Sequence, residues 1–150
     1  MGLLKYTTVI SVSRSVSEIQ ETLRVCGARS VTVEHDGLKQ PCGISFWVET
    51  AHGPISFHMT VDTARIKQLL TDQWRKGEVP RSAISEGQPA RVGWRQVKDW
   101  LDVQLAMIEI GLVTLDQIFL PYAVNSEGKT VYQLFSEDGR LGKLLGAGGA

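Results

Sequence analysis

The sequence has little cysteine and no net charge, and both absences exclude classes of protein. Its 150 residues include only Cys26 and Cys42, and 16 lysines and arginines balance 16 acidic residues. Two cysteines do not make the disulfide framework that supports small secreted domains. Zero net charge gives no long-range attraction to nucleic acid or to a membrane surface. We therefore expect a cytoplasmic protein whose contacts depend on local patches.

A long apolar run and a convincing leader are missing as well. No segment approaches the roughly 18 apolar residues of a membrane-spanning helix, and residues 1–15 are not typical of a signal peptide. A chain of this length normally forms one domain with its own core. We expect a single domain over residues 1–145, a flexible tail over residues 146–150 and no association with a membrane.

Recognised catalytic and metal-binding patterns are absent. The cysteines and three histidines are irregularly spaced, whereas structural zinc ligands come in close pairs. The sequence has neither a Gly-x-Ser-x-Gly nucleophile elbow nor a glycine loop placed to hold phosphate. We therefore predict a non-enzymatic protein without a metal or another cofactor.

Alternation of apolar and polar residues predicts three strands, at residues 31–35, 43–49 and 55–61. Period-2 order of this kind indicates an antiparallel meander with one face in the core. The predicted core face carries Phe46, Val48, Phe57 and Met59. The opposite face carries Trp47 and His58, and it is either open or covered by a helix.

The rest of the pattern places helices around this meander. Residues 6–13 predict a first strand, and Ser15 with Glu18 predicts a capping box for a helix that ends at Gly27. Asp62 is expected to cap the next helix. Further capping boxes are predicted at Ser85–Gln88, before a long helix that ends near Gly111, and at Thr114–Gln117, with a late edge strand at Val131–Phe135. The predicted fold is a single α+β domain, β-α-β-β-β-α-α, whose meander packs on the long hydrophobic helix.

The long helix is apolar over more of its circumference than one sheet face normally covers. Trp94, Leu101 and Leu105 lie on the expected core side, and a second apolar side lies next to it. That second side either completes the core or contacts another chain, such as a second copy, a host protein or a phage protein. The expected protein-interface residues are Trp100, Val103, Met107, Ile110, Phe119 and Tyr122.

Nucleic-acid binding is the other function that the residues support. Aromatic side chains on an open sheet face can stack on bases, while nearby cations contact phosphates. The alternative for Arg95 and Lys98 is pairing with Asp99 and Asp102, four residues further on. The expected nucleic-acid contacts are Trp47, His58, Trp74, Arg75, Lys76, Arg81, Arg91 and Arg95.

The segment Arg91–Tyr122 resembles a family of uncharacterised small proteins from tailed phages and prophages. The shared motif is R-V-x-W-R-x-x-K-D-W-x-x-x-Q followed by F-L-P-Y, here Arg91 to Gln104 and Phe119 to Tyr122. Glu18-Ile-Gln20, Pro80-Arg81-Ser82 and Lys129–Tyr132 also fit. The resemblance implies a phage or mobile-element origin and a host-cell cytoplasmic setting, and it carries no assigned activity.

Two functional hypotheses result. The first is a non-enzymatic phage accessory protein that contacts single-stranded DNA or RNA in replication or recombination. The alternative is a protein-binding module, either an inhibitor of a host defence complex or a homo-oligomeric interaction protein.

Overall fold

A four-stranded antiparallel sheet in the order β1-β2-β3-β4 is the framework of the fold. The computed structural model describes residues 1–146, so most of the expected tail lies outside the described residues. The α+β class and the antiparallel meander are confirmed. In chain order the elements are α1 (Val12–Val25), β1 (Arg29–His35), β2 (Pro41–Thr50), β3 (Gly53–Thr60), α2 (Thr63–Arg75), α3 (Gln88–Ile110), α4 (Leu115–Phe119), β4 (Ala123–Val124), α5 (Val131–Ser136) and α6 (Arg140–Leu144).

The core lies between the apolar face of the sheet and helices α1 and α3. Phe46 of β2 is opposite Phe57 of β3, and their ring centroids are 5.4 Å apart. Phe119 completes this aromatic cluster, with its centroid 5.3 Å from that of Phe46. Because these rings and the apolar faces of both helices are almost fully shielded from water, their burial is the main stabilising contribution to the fold.

Helix α3 packs closely against α2 at a glycine. A Cβ atom at Gly93 would lie 2.4 Å from Cδ1 of Ile66 and 3.3 Å from Cγ1 of Val61. Gly93 therefore allows the two helices to approach more closely than any larger residue would. A second apolar cluster, centred on Leu70 and Val92, fills the space beyond this contact.

The expected N-terminal strand at residues 6–13 is wrong. Helix α1 begins there instead, and Ser11 is its N-cap, with Oγ accepting a hydrogen bond from the Arg14 amide at 3.2 Å. The helical spacing of Val12, Val16 and Ile19 extends one turn before the predicted start, so Ser15 lies inside α1 and is fully buried. A helical apolar face with a good cap outweighs the weak strand pattern.

The expected edge strand at Val131–Phe135 is also wrong, because these residues form α5. Thr130 and Gln133 make a capping box in which each side chain accepts a hydrogen bond from the other residue's amide. Two such bonds fix the first helical turn despite the strand-forming side chains that follow. The short strand that pairs with β3 is β4.

The two other predicted capping boxes have different outcomes. The box at Thr114 and Gln117 is confirmed and opens α4. The box at Ser85 and Gln88 is wrong, since Gly87 in a left-handed conformation precedes α3. The side-chain amide of Gln88 donates instead to the carbonyls of Tyr6 and Thr8, at 2.9 Å each. This bond pair attaches the N-terminal segment to α3.

Strand β1 is an edge strand with irregular pairing. Its register with β2 shifts between Arg29 and Thr32 and again between Glu34 and His35. Ser30 lies between Arg29 and Thr32, and its backbone has a positive φ of 50°. Separately, no helix within residues 1–146 combines the length and the hydrophobicity required to span a membrane.

Candidate nucleic-acid interface

The outer face of the sheet is polar and open. Residues opposite each other in antiparallel strands point to the same side, so Arg29, Trp47 and Ser56 form one row and Thr32, Ser45 and His58 form the next. Arg29, Thr32 and Ser56 are exposed, while Trp47 and His58 are half-buried among them. We call these six residues the outer face. Trp47 and His58 are diagonal neighbours, a relation that places residues about 7–8 Å apart.

An arginine lies over the ring of Trp47. The guanidinium carbon of Arg29 is 5.3 Å from the ring centroid, a cation–π contact. A guanidinium is planar and can itself stack on a nucleobase, and its charge can pair with a phosphate. Trp47 of β2 and Arg29 of the edge strand β1 therefore form a two-layer platform across these two strands.

His58 is held by polar side chains from three strands. Oγ of Ser45 donates to Oε1 of Glu34 at 2.5 Å, and His58 Nδ1 lies 3.0 Å from that Ser45 oxygen and 3.3 Å from Glu34 Oε1. Because the serine hydrogen is committed to the carboxylate, the hydrogen shared with the ring is on Nδ1. The other ring nitrogen, Nε2, faces Thr60 Oγ1 at 3.3 Å.

A polar cleft adjoins the outer face at His58. It has a volume of about 800 Å³ and is lined mainly by His58, Thr60, Arg65, Tyr122, Tyr132 and Gln133. Arg65 belongs to the first turn of α2, and Tyr132 and Gln133 belong to α5. Tyr132 and Gln133 reach the cleft because α5 is a helix that packs against the Leu120–Tyr122 segment.

The predicted cations of α2 lie elsewhere. Trp74 is 11 residues beyond the first residue of α2, or roughly 16 Å along the helix axis. There Arg81 covers the Trp74 ring at 5.8 Å, and Arg75 lies 3.9 Å from Asp72. We call Trp74, Arg75, Lys76 and Arg81 the distal cluster. The structure thus places six of the eight expected nucleic-acid residues on two separate surfaces, the outer face and the distal cluster.

Two predicted cations belong to neither surface. Arg91 is half-buried and donates from Nε to Oε1 of Gln88 at 2.8 Å. Arg95 is only 8% exposed, and its Nη1 lies 3.0 Å from Oε2 of Glu18 on α1. The charge of Arg95 is therefore turned into the α1–α3 contact and away from both surfaces.

Of the two ion pairs expected as the alternative, Lys98–Asp102 is confirmed and Arg95–Asp99 is wrong. Lys98 contacts both carboxylate oxygens of Asp102 at 2.6 Å, as the spacing predicts. Asp99 contacts Lys5 at 3.2 Å rather than Arg95. A hydrogen bond from Arg14, followed by one from Arg95, lowers the pKa of Glu18 from its ordinary value of 4.5. Burial, with a smaller contribution from Glu109, raises the pKa of the Cys26 thiol.

The expected protein-interface residues divide into an aromatic group that packs on the core and a group on α3 that is partly or largely exposed. Trp100, Phe119 and Tyr122 form one aromatic cluster, with centroid distances between 5.6 and 6.4 Å, and Phe119 is fully buried. These rings complete the core. Met107 is half-buried, whereas Val103 and Ile110 are 59% and 70% exposed.

Sequence reasoning missed Arg29, Arg65, Tyr132 and Gln133. Arg29 follows the predicted helix end and precedes the predicted strand, so nothing local placed it on the sheet. Tyr132 and Gln133 were assigned to a strand, although the Thr130–Gln133 pair has the spacing of a capping box and was the available signal. Arg65 follows the correctly predicted cap Asp62, but its place beside the outer face depends on tertiary packing.

Comparison with protein-family models, with curated proteins and with solved structures gives no match for this chain. Within residues 1–146, no three His, Cys, Asp or Glu side chains are grouped so that they could hold a metal ion. The outer face, the cleft and the exposed part of α3 are therefore the candidate functional surfaces of the described residues.

Proposed function

We propose that the protein is a non-enzymatic accessory protein that contacts single-stranded DNA or RNA through the outer face. The observation that carries this proposal is the Arg29–Trp47 pair on an exposed sheet surface. Unpaired bases expose their flat faces, and an aromatic ring with a covering guanidinium offers two surfaces for stacking. Small polar neighbours such as Ser45, Ser56 and Thr32 leave room for bases to lie against the sheet.

The outer face holds few cations, and this limits the electrostatic part of binding. Arg29 lies on it and Arg65 lies at its border, while Glu34 and Glu49 provide opposing charge. For single strands, the logarithm of the binding constant falls by about 0.7 per phosphate contact for each tenfold rise in salt. Two contacts predict a slope of about −1.4, so stacking should provide most of the affinity.

The resemblance to phage proteins supports a role in replication or recombination of a mobile element, inside the host cytoplasm. Proteins that act in replication or recombination encounter single strands of many different sequences. A platform built on stacking suits that task, since every base has a flat face.

The test is fluorescence polarisation with a labelled single-stranded oligonucleotide at low and moderate salt. Trp47→Ala should weaken binding at least tenfold, because stacking contributes about 1–3 kcal/mol per base. Trp74→Ala is the matched control, as Trp74 is likewise accessible at the surface and covered by an arginine. Loss of binding with Trp74→Ala alone would move the interface to the distal cluster, and no binding at low salt would overturn the proposal.

A second candidate function is protein binding through the outer end of α3. Val103 and Ile110 are seven residues apart and therefore lie on the same side of the helix, and both are largely exposed. The adjacent Leu112 is 66% exposed. An apolar surface of this kind supports association with a second copy or with a protein partner.

Light scattering tests self-association at this surface. A homodimer would have a mass of about 33 kDa, twice the 16.5 kDa of the chain. Ile110→Glu should return it to a monomer without unfolding, because Ile110 is solvent-facing. A wild-type protein that is monomeric at high concentration would exclude the homodimer and leave only a different partner for this surface.

A further inference from the structure

The cleft beside His58 combines three groups that suit a nucleotide. Its volume of about 800 Å³ is within the range of small-molecule sites. It opens next to the outer face, and its lining comes from β3, α2 and α5, with Pro121, Tyr122 and Gly128 between them in the lining. The outer-face proposal uses Trp47 and Arg29 for stacking and counts Arg65 only as a phosphate contact, so the cleft residues contributed by α5 have no role in it.

Arg65 supplies positive charge to the cleft. Within residues 1–146, no carboxylate lies within the 4.0 Å ion-pair distance of its guanidinium, unlike those of Arg14, Arg24, Arg75 and Arg95. Its own backbone amide, by contrast, is used in capping α2, since it donates to Asp62 Oδ1 at 3.1 Å. A planar guanidinium at the border of a polar cleft is well suited to bidentate binding of a phosphate.

His58 offers a hydrogen-bonding ring that its neighbours hold in place. Its Nδ1 lies beside Ser45 and Glu34, and its Nε2 lies 3.3 Å from Thr60 Oγ1, so His58 and Thr60 both bring polar atoms to the cleft. Nucleobases carry donors and acceptors on their edges, which such polar atoms can bind. Thr60 and Gln133 add groups that can both donate and accept.

Tyr132 provides an aromatic surface in the same cleft. It is 59% exposed, although it belongs to a helix that packs near the core. An exposed tyrosine, a histidine held in place and an arginine without an ion-pair partner in the described residues give the cleft a stacking surface, a hydrogen-bonding group for a base edge and a phosphate ligand. These are the three elements by which proteins hold single nucleotides.

We propose that the cleft is a subsite for one nucleoside phosphate, with its phosphate on Arg65, its base against Tyr132 and its base edge towards His58. This inference deepens the proposed function, on which it depends for its place beside the nucleic-acid surface. The nucleoside phosphate comes either from a free mononucleotide or from one residue of a bound strand. Because His58 is the diagonal neighbour of Trp47, a strand lying on the outer face reaches the cleft within a nucleotide or two.

The test is an NMR titration of the intact protein with AMP, adenosine and inorganic phosphate, read at the side chains of His58 and Arg65. AMP should shift both signals in a saturable manner and should bind at least tenfold more tightly than adenosine or phosphate. Arg65→Gln should weaken AMP binding at least tenfold. Arg75→Gln is the matched control, since Arg75 also belongs to α2 but lies in the distal cluster, and it should bind AMP as the wild type does.

The outcomes separate this inference from the proposed function. Trp47→Ala should lose the oligonucleotide and keep AMP, whereas Arg65→Gln should lose AMP and weaken the oligonucleotide only partly. Oligonucleotide binding without any AMP shift at millimolar concentration would overturn the subsite and leave the outer-face proposal standing. Phosphate binding as tight as AMP binding would overturn it as well, because the site would then recognise an anion and not a nucleotide. Tyr132→Phe, which keeps the ring, should retain AMP, and Tyr132→Ala should lose it.

Discussion

The two halves of α3 are similarly apolar in sequence but differ in burial. From Gln88 to Leu101 the helix is enclosed, and Val92 and Trp94 have no exposed surface. Beyond Leu101 the same helix carries Val103 and Ile110 largely in solvent. Helix α2 packs on the first half at Gly93, whereas the second half extends to Gly111 beside the short α4. The apolar pattern therefore specifies a helix, and its neighbours decide which part becomes core.

Trp94→Ala should give the largest change among variants of α3. Trp94 is fully buried, and its Nε1 donates to the Pro41 carbonyl at 3.3 Å. Truncating a buried tryptophan removes apolar contacts and leaves a cavity, so the free energy of unfolding should fall by about 3–5 kcal/mol. Urea denaturation followed by circular dichroism measures this loss. A loss below about 1 kcal/mol would show that the first half is not the core of the domain.

Gly93→Ala tests the close approach of α3 to α2. The new Cβ atom would meet Ile66 Cδ1 at 2.4 Å, so side chains or helices must shift at a cost of about 1–3 kcal/mol. Ile66→Val removes Cδ1 and should recover part of that loss in the double variant. A double variant whose losses simply add would contradict the contact, since touching residues are not independent.

Glu18→Gln tests the charged contact between α1 and the buried half of α3. Arg14 and Arg95 lower the pKa of Glu18 in the folded protein, so its stabilising contribution is present above its ordinary value of 4.5 and is lost as pH falls through the lower folded value. The variant should melt at a lower temperature than the wild type at neutral pH, and this difference should shrink on acidification. Glu21→Gln, on the same helix, is the control. A difference that does not depend on pH would contradict the ion pair.

Ile110→Gln should have the smallest effect on stability. Ile110 is 70% exposed, and exposed substitutions usually change the free energy of unfolding by no more than about 0.5 kcal/mol. Thermal unfolding at low protein concentration measures this. A large loss at low concentration would show that a neighbouring segment covers the second half, and it would remove the contrast between the two halves.

The sequence predicted those parts of the fold that depend on local signals. Strands β2 and β3 alternate strictly, and the caps Asp62 and Thr114 each lie next to the helix they begin. Near the N-terminus, Ser11 and Ser15 both have a hydroxyl that could cap a helix. The packing of α1 against the core makes Ser11 the N-cap and places Ser15 inside the helix. At Val131 the strand-forming side chains competed with a local cap, and the cap prevailed.

The candidate site was less predictable because it depends on contacts between distant residues. Trp47 and His58 could be placed on one face from alternation alone. Arg29 joined them through a register that contains an irregularity, and Arg65 and Tyr132 joined them through tertiary packing. Arg95 was expected on the site and lies elsewhere. The local spacing suggested Asp99, four residues later, as its partner, but its partner in the structure is Glu18 of α1, 77 positions earlier in the chain.

The irregular pairing of β1 affects how the protein behaves when it is concentrated. An edge strand exposes unpaired amides and carbonyls to which another chain can add a strand, and this is how fibres and sheet aggregates start. β1 keeps regular pairing with β2 only from Thr32 to Glu34, between its two register shifts. Irregularities such as bulges bend an edge strand away from the straight template that an incoming strand requires. The opposite edge is β4, with two residues. The β1 edge is therefore a poor starting point for polymerisation, and the open face beside it can stay accessible in a crowded solution without recruiting a further strand there.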